Sequence, residues 1–349
     1  MKDIKSLRSD RDSGIELLRI ITMLVIVMHH YVVNSGISAA VMSGEGDTAR
    51  ALFLSVFGWG GKTGINCFMM ITGYFMCTSQ ITLKKFLKLF FQIEFYKVLF
   101  LAVFLLSGYR DPTWAYIKKM LQPISSVGNE FVSAFLLFYF MIPFINILIN
   151  GLDKRRHLIL IGICVFIYSI LPILGYKVIF NYITWFTVIY LIGAYVRLYP
   201  EKWFDKRGVW TAAALVMLTL SWLSVVYKFY TDRAALYFWV SDSNKPLALL
   251  TGVTAFMFFK NLNIGYHKWI NVIASATFGV LLIHSGNDTI RQWMWIEKLG
   301  NISYLYSGNT VLNAFAVSVA IYIICTIADL ARLYIIEEPI IKRLGDRLK

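Results

Sequence analysis

The chain has 349 residues, of which 58% are hydrophobic and 15% charged, and its mean hydropathy is +0.63. Soluble domains carry about 25% charged residues, so this composition excludes an ordinary water-soluble protein. The net charge of +14 could indicate nucleic-acid binding. Membrane proteins, however, concentrate Lys and Arg in cytoplasmic loops, and we therefore expect a lipid bilayer as partner and no nucleic acid.

Apolar stretches recur along the whole chain, and about 20 apolar residues form a helix long enough to cross the hydrocarbon layer. They predict an all-α fold, a polytopic membrane helix bundle of about ten transmembrane helices, in a single domain over residues 1–349. The second stretch has an expected interfacial portion around Gly58–Gly61. The predicted spans are Ile15–Ser35, Ala51–Cys77, Phe86–Leu106, Phe131–Ile149, Leu158–Leu174, Tyr182–Leu198, Val209–Phe229, Pro246–Phe259, Trp269–Gly286 and Val311–Ile336.

The distribution of basic residues predicts the orientation of these spans. With a cytoplasmic N-terminus, the inside segments hold about 20 Lys and Arg residues and the outside loops about 10. Since positive residues accumulate on the cytoplasmic side, ten spans with both the N- and C-termini in the cytoplasm are predicted. The four cysteines all lie in apolar segments without metal-ligand spacing, so we expect buried thiols, no disulfide framework and no metal site.

Ionisable residues inside the first span are candidates for function, because such groups are expensive within a membrane. Arg19 and His30 are eleven residues apart, so they share one face of the helix about 16 Å from each other. Glu16 lies one turn before Arg19 and can pair with it, whereas His29 points about 80° away from the Arg19 direction. His30 could be a packed histidine and Arg19 a cytoplasmic anchor, but their alignment favours a polar path into the bundle.

Three further segments carry polar residues in apolar surroundings. His284 lies near the outer end of the ninth span and taken alone is typical of an interfacial histidine. Asn66 and Thr72 lie between glycines in the second span, where close helix packing is the simplest interpretation. The last span contains Asp329, which can pair with Arg332, and ends in Glu337 and Glu338, which oppose the helix dipole and need a compensating partner or a role. The segments in question are Gly64–Phe75, Ser275–His284 and Asp329–Pro339.

These motifs together resemble acyltransferase family three, the ten-helix membrane O-acyltransferases that modify cell-surface glycans. The resemblance covers nearly the whole chain and is carried by the order and spacing of the motifs. Asn66 stands where many members have Asp, Thr72 where they have Ser, and only three lysines represent the family's arginine-rich stretch. The matching segments are Gly14–Arg19 with His30, Gly64–Tyr74, Phe135–Asn146, Tyr182–Tyr199, Ser275–His284 and Glu338-Pro339, and the three lysines are Lys84, Lys85 and Lys88.

The resemblance implies a multi-pass enzyme of a bacterial cell membrane that takes an acyl group, most simply acetyl, from cytoplasmic acetyl-CoA. The acceptor is expected to be a hydroxyl of a surface polysaccharide or of its lipid-linked precursor. His30 is the expected general base or acyl acceptor. Arg19 is expected to attract the CoA phosphates or orient the donor. No permanently bound cofactor is expected, and a homo-oligomer is possible.

The same hypothesis gives the remaining candidate residues supporting roles in binding the donor and the acceptor. Lys84, Lys85 and Lys88 would attract the polyanionic CoA, although topology alone can explain them equally well. The expected substrate-binding or supporting residues are Glu16, Asn66, Thr72, His284 and Glu338.

Two hypotheses from other classes stay open at the level of the sequence. A transporter of a small polar solute such as serine would use the same polar face as its substrate pathway, without acyl transfer. A purely structural membrane scaffold would leave Arg19 and His30 unexplained.

Overall fold

The structure is a computed structural model that describes residues 12–124 and 130–340. These residues form helices and connecting turns without any β-strand. The two chain termini, predicted to be cytoplasmic, lie outside the described residues. The α-helices are α1 (Ser13–Val33), α2 (Ile37–Met42), α3 (Thr48–Phe57), α4 (Gly61–Met76), α5 (Leu83–Leu106), α6 (Trp114–Leu121), α7 (Phe131–Asn150), α8 (Lys154–Val165), α9 (Tyr182–Leu198), α10 (Arg207–Thr231), α11 (Pro246–Lys260), α12 (Lys268–Ser275), α13 (Thr277–Ser285), α14 (Asp288–Arg291) and α15 (Thr310–Ala331).

Short polar side chains begin many of these helices. Asp12 Oδ1 accepts a 2.8 Å hydrogen bond from Gly14 N at the start of α1, and Asn309 Oδ1 accepts one of 3.1 Å from Leu312 N at the start of α15. Such caps satisfy backbone N–H groups that have no partner within the helix. The other side-chain caps are Asp47, Thr82, Thr113, Asp153, Asn181 and Asn287.

Six helices of the described residues are long and apolar enough to cross a membrane. Large apolar side chains lie exposed along them, among them Phe144 at 73% and Ile147 at 71% on α7. Exposed apolar surface of this extent is typical of a face in contact with lipid. The six segments are Ser13–Val33, Leu83–Leu106, Phe131–Asn150, Arg207–Thr231, Lys268–Ser285 and Thr310–Ile340, and two shorter apolar helices are Tyr182–Leu198 and Pro246–Lys260.

The predicted second span, Ala51–Cys77, is wrong as one continuous helix. It is divided into α3 and α4 by a turn at Gly58–Gly60, where the sequence predicted an interfacial portion. A side chain at Gly60 would place its Cβ 2.3 Å from Val25 Cγ1, and one at Gly61 would place it 2.2 Å from His29 Cδ2. Glycines at this break therefore let the backbone lie directly against α1.

Three other predicted spans are irregular. Trp269–Gly286 is divided at Ala276 into α12 and α13. The fifth span leaves α-helical geometry for a π-helical stretch at Phe166–Ile170, and the tenth does so at Arg332–Glu337. Wider π turns are rare and occur frequently at functional sites.

The described chain falls into two compact units. The first contains residues 12–61, 229–236 and 263–340, and the second contains residues 62–124, 130–228 and 237–262. In the first unit, the N-terminal end of α1 meets the segment that starts α12, where Ser13 Oγ accepts a 2.8 Å hydrogen bond from the His267 backbone N–H. The C-terminal ends meet where His30 of α1 contacts His284 of α13. Helix α1 and the α12–α13 segment are therefore parallel.

In the second unit, the short helices α4, α9 and α11 have 16, 17 and 15 residues. Glycines let them approach closely, as the sequence predicted for the α4 segment. A Cβ at Gly73 of α4 would lie 2.4 Å from Tyr190 O, and one at Gly193 of α9 would lie 2.5 Å from Met70 O. All four cysteines of the chain are free; Cys164 is half-buried and the other three are buried.

Candidate functional site

Two histidines from parallel helices meet in the first unit. His30 Nδ1 lies 2.9 Å from His284 Nε2, and the two rings are tilted by 48° with their centroids 5.1 Å apart. The His284 side chain is fully buried, whereas His30 is half-buried. The sequence predicted both residues as site candidates, but it did not predict that they touch.

The partners of His284 determine which nitrogens carry protons. His284 Nδ1 lies 2.5 Å from the carbonyl oxygen of Val280, which can only accept a hydrogen bond, so Nδ1 carries a proton. A second proton would put a positive charge on a fully buried ring, which is costly. His284 Nε2 is then an acceptor, and His30 Nδ1 donates to it. This puts the lone pair of His30 on Nε2, and a neutral imidazole can accept a proton at the nitrogen that carries its lone pair.

His284 is held from a further direction by Trp295. The buried Trp295 Nε1–H donates a 2.9 Å hydrogen bond to the backbone carbonyl of His284, and the two rings stand edge to face. Sequence reasoning missed Trp295. The sequence indicated it only as a tryptophan within a polar segment between two predicted spans. A tryptophan tends to bury its large ring and needs one hydrogen-bond acceptor.

His29 contacts the turn that separates α3 from α4. Its Nδ1 lies 2.6 Å from the carbonyl oxygen of Gly58, and its ring centroid is 5.7 Å from that of His30. A carbonyl can only accept, so Nδ1 of His29 is the donor. His29 thus fixes the glycine turn against α1 beside His30.

The predicted pairing of Glu16 with Arg19 is confirmed. Glu16 Oε2 lies 3.6 Å from Arg19 Nε, the Glu16 side chain is 9% exposed and that of Arg19 is 32% exposed. The Arg19 Nε atom itself is buried and makes no hydrogen bond within the described residues. Arg19 lies on the same helix as His30, eleven residues earlier, and its role in donor binding stays a prediction.

Asp329, Arg332 and Glu337 form a buried ionic cluster at the C-terminal end of α15. The sequence did not predict that this cluster belongs to the candidate site. The predicted Asp329–Arg332 pair is confirmed, with Arg332 Nε 2.7 Å from Asp329 Oδ1. Arg332 Nη1 also pairs with Glu337, which supplies the compensating partner that an acid at a helix C-terminus needs. Glu338 is exposed, and its predicted supporting role stays a prediction.

The predicted site residues of the second unit have mainly structural contacts. The fully buried Asn66 donates from Nδ2 to Ser243 O at 2.8 Å and accepts at Oδ1 from Trp185 Nε1 at 2.9 Å. Thr72 Oγ1 donates back along its own helix to Phe68 O at 2.8 Å. Both residues are thereby engaged inside the protein, and contacts to a substrate stay a prediction.

The three lysines predicted to attract CoA lie at the start of α5. Lys84, Lys85 and Lys88 are all exposed. Lys85 Nζ donates a 2.8 Å hydrogen bond to the Gln80 carbonyl. Exposed cations on one helix end can raise the local concentration of a polyanion without fixing its position.

In the described part of the chain, six apolar helices long enough to cross a membrane and a hydrogen-bonded histidine pair between two helices define a polytopic membrane protein with a candidate site at His30 and His284. A family model described as an acyltransferase domain matches residues 12–330, which contain every residue of the His30–His284 site. The chain belongs to acyltransferase family three and is a membrane acyltransferase. No curated protein and no solved structure matches it.

Proposed function

We propose that the chain transfers an acetyl group from cytoplasmic acetyl-CoA to a hydroxyl of a bacterial surface polysaccharide or its lipid-linked precursor, with His30 as general base. The single observation that carries the proposal is the hydrogen-bonded series Val280 O, His284 and His30. It orients the His30 ring and places its lone pair on Nε2. The family match supports acyl transfer in general, and the donor and acceptor are part of the proposal.

The reaction balances with His30 as the only proton carrier. The acceptor hydroxyl oxygen attacks the thioester carbonyl carbon while its proton moves to His30 Nε2. The C–S bond of the resulting tetrahedral species then breaks, and the leaving CoA sulfur takes the proton from Nε2. An O-acyl ester and free CoA thiol result. Between these steps the His30 imidazolium donates through Nδ1 to the neutral His284, which stabilises its charge.

The donor side is assigned to Arg19 with Lys84, Lys85 and Lys88. Arg19 lies on the polar face of α1 and has a side chain that is 32% exposed, and its guanidinium suits a phosphate. Glu16 holds it in place. Asn66, Thr72 and Glu338 remain proposed supporting residues for the two substrates.

The proposal places ten spans in the membrane of a bacterial cell with both termini in the cytoplasm. The parallel packing of α1 with α12–α13 supports this arrangement, since two parallel spans need an odd number of crossings between them. The seven spans predicted between the first and the ninth meet that condition. His30 and His284 then lie toward the outer face, where a surface acceptor arrives.

The test is transfer of labelled acetyl groups by the purified protein in proteoliposomes and by cells that express it. His30→Ala is expected to lower transfer by about 10²- to 10⁴-fold at wild-type abundance, the usual contribution of a general base. His267→Ala is the matched control, because His267 is an exposed histidine of the same unit whose backbone N–H, which the substitution keeps, donates to Ser13 Oγ of α1.

Three outcomes are informative. Loss of transfer in His30→Ala with full transfer in His267→Ala supports the proposal. Undiminished transfer in His30→Ala contradicts the assignment of the base. Uptake of serine by vesicles without consumption of acetyl-CoA contradicts acyl transfer and favours a transporter.

A further inference from the structure

Helix α15 contacts both histidine-bearing helices, α1 at the residue after His30 and α13 at Gly279, five residues before His284. At its N-terminal end, Asn313 Oδ1 accepts a 2.5 Å hydrogen bond from the hydroxyl of Tyr31, the residue that follows His30. Tyr31 is fully buried. This bond fixes the C-terminal part of α1 against α15.

The second contact lies at the other end of α15, where the Asp329 carboxylate lies against the backbone of Gly279 on α13. An ideal Cβ at Gly279 would be 2.0 Å from Asp329 Cγ and 2.1 Å from Oδ1, so only glycine leaves room for this carboxylate. The next residue is Val280, whose carbonyl oxygen accepts from His284 Nδ1. The position of the Asp329 side chain therefore bears directly on the turn of α13 that orients His284.

Asp329 is itself buried and paired with a cation. Its side chain is fully buried, and Arg332, whose side chain is 6% exposed, lies with Nε 2.7 Å from Oδ1. Arg332 is in turn held by Glu337 across the π-helical stretch. Removing such charges from water costs free energy that their attraction often fails to repay, so a buried cluster of this kind is weak evidence for a role in stability alone. Ionisable groups within membrane spans mark function more often.

We propose that Asp329, fixed by Arg332, is a positioning residue that sets α13 against α15 so that His284 reaches His30. A hydrogen bond of 2.9 Å is lost when its atoms move beyond about 3.5 Å. A displacement of α13 of about 1 Å is therefore enough to break the histidine contact, and errors of that size at a catalytic group can cost 10²-fold in rate. The catalytic part rests on the proposed function of His30, whereas the positioning part depends on geometry alone.

The positioning role of Asp329 is tested by measuring which ring nitrogen of His30 carries the proton. The method is nitrogen NMR on the full-length protein, labelled with ¹⁵N-histidine, in proteoliposomes. The chain has 5 histidines, and the His30 signals are assigned by their loss in His30→Gln. In the wild type we expect the proton of neutral His30 on Nδ1. In Asp329→Ala and in Gly279→Ala, Nδ1 loses its acceptor, and a population with the proton on Nε2 is expected.

Asp329→Ala removes one carboxylate and keeps the Arg332–Glu337 ion pair, whereas Gly279→Ala changes no charge, so the two variants disturb the contact in different ways. Asp288→Asn is the matched control, because Asp288 forms an exposed ion pair with Arg291 at the same spacing of three residues. We expect its His30 signals to be those of the wild type.

Enzyme kinetics add the catalytic readout. Asp329→Ala is expected to lower kcat for acetyl transfer by about 10²-fold while the KM for acetyl-CoA changes less than twofold, because the base and not the donor site is displaced. Wild-type His30 signals in both Asp329→Ala and Gly279→Ala would overturn the positioning role. Altered signals in the two variants, together with a wild-type protein that transfers no acetyl group, would support the positioning role and contradict the proposed function.

Discussion

His284 in the first unit and Asn66 in the second are both fully buried polar side chains in apolar helices, and their hydrogen bonds leave different chemistry available. Asn66 bridges Trp185 and Ser243, and both ends of its amide are engaged by protein groups. His284 passes its orientation on to a half-buried ring, His30, whose Nε2 keeps a lone pair. The comparison teaches that burial of a polar group in a membrane helix is not sufficient to indicate chemistry. A neutral imidazole can take up a proton near neutral pH, whereas a carboxamide cannot, and this difference in side-chain chemistry separates the two sites.

The largest effect beyond loss of His30 itself is expected from His284→Ala. Without the acceptor, Nδ1 of His30 no longer holds its proton in place, and kcat should fall by about 10²-fold. His284→Gln should recover part of the rate, because an amide oxygen can also accept from His30 Nδ1. The measurement is kcat for labelled acetyl transfer at matched abundance. Equal rates in wild type and His284→Ala would contradict the proton assignment.

A second prediction concerns stability in the Asn66 cluster. Asn66→Asp keeps an acceptor for Trp185, and its buried carboxyl, neutral when protonated, can donate to Ser243 O, whereas Asn66→Ala leaves both groups without a partner. Each buried group left unsatisfied costs about 1–3 kcal/mol, so we expect the Tm to fall further in Asn66→Ala. The measurement is thermal unfolding in one detergent, with acetyl transfer by the folded fraction as control. A lower kcat at unchanged Tm would instead show that Asn66 contacts substrate.

A smaller effect is expected at Arg19, at the far end of α1 from the histidine pair. Arg19→Gln removes a charge that the proposal places on a CoA phosphate, a type of bond worth roughly 1.5 kcal/mol or more. The KM for acetyl-CoA should rise about tenfold, with kcat at saturating donor nearly unchanged. A change confined to kcat would assign Arg19 to orientation of the base instead.

The smallest effect is expected from the exposed lysines of α5. Substitution of Lys84, Lys85 and Lys88 by Gln should raise the donor KM by about two- to threefold at low salt, and the difference should vanish near 1 M salt, where charges are screened within about 3 Å. Lys118→Gln with Lys119→Gln is the control, because these lysines are also exposed and are predicted to face the outside. An equal change in donor KM for both sets of lysines would mean that the α5 lysines only set the orientation of the spans and have no specific part in attracting the donor.

Much of the fold could be predicted from hydropathy and charge. The positions of the long apolar helices follow from the length of the hydrophobic stretches, and the Glu16–Arg19 and Asp329–Arg332 pairs follow from helical spacing. The glycines indicated an interfacial portion where Ala51–Cys77 is divided, but the close approach of Gly61 to His29 is a contact between helices that the local sequence could not show.

The sequence predicted which residues belong to the candidate site but not which of them contact each other. Spacing along α1 pointed to His30, but its partner lies 254 positions further along the chain. Trp295 and the Gly279–Asp329 contact depend on tertiary packing in the same way. For Asn66, the sequence showed a polar residue between glycines but could not show that Trp185 and Ser243 would occupy its amide.

The short helices of the second unit have a consequence for the lipid around them. At 1.5 Å per residue, α4, α9 and α11, with 16, 17 and 15 residues, are about 22 to 26 Å long. The hydrocarbon layer is about 30 Å thick, and a bilayer adapts to shorter helices by thinning locally. With these helices spanning it as proposed, the membrane is several ångströms thinner beside the enzyme. In the proposed reaction, such thinning would shorten the path between a donor in the cytoplasm and a hydroxyl outside, and the turnover rate is expected to depend on the chain length of the surrounding lipids.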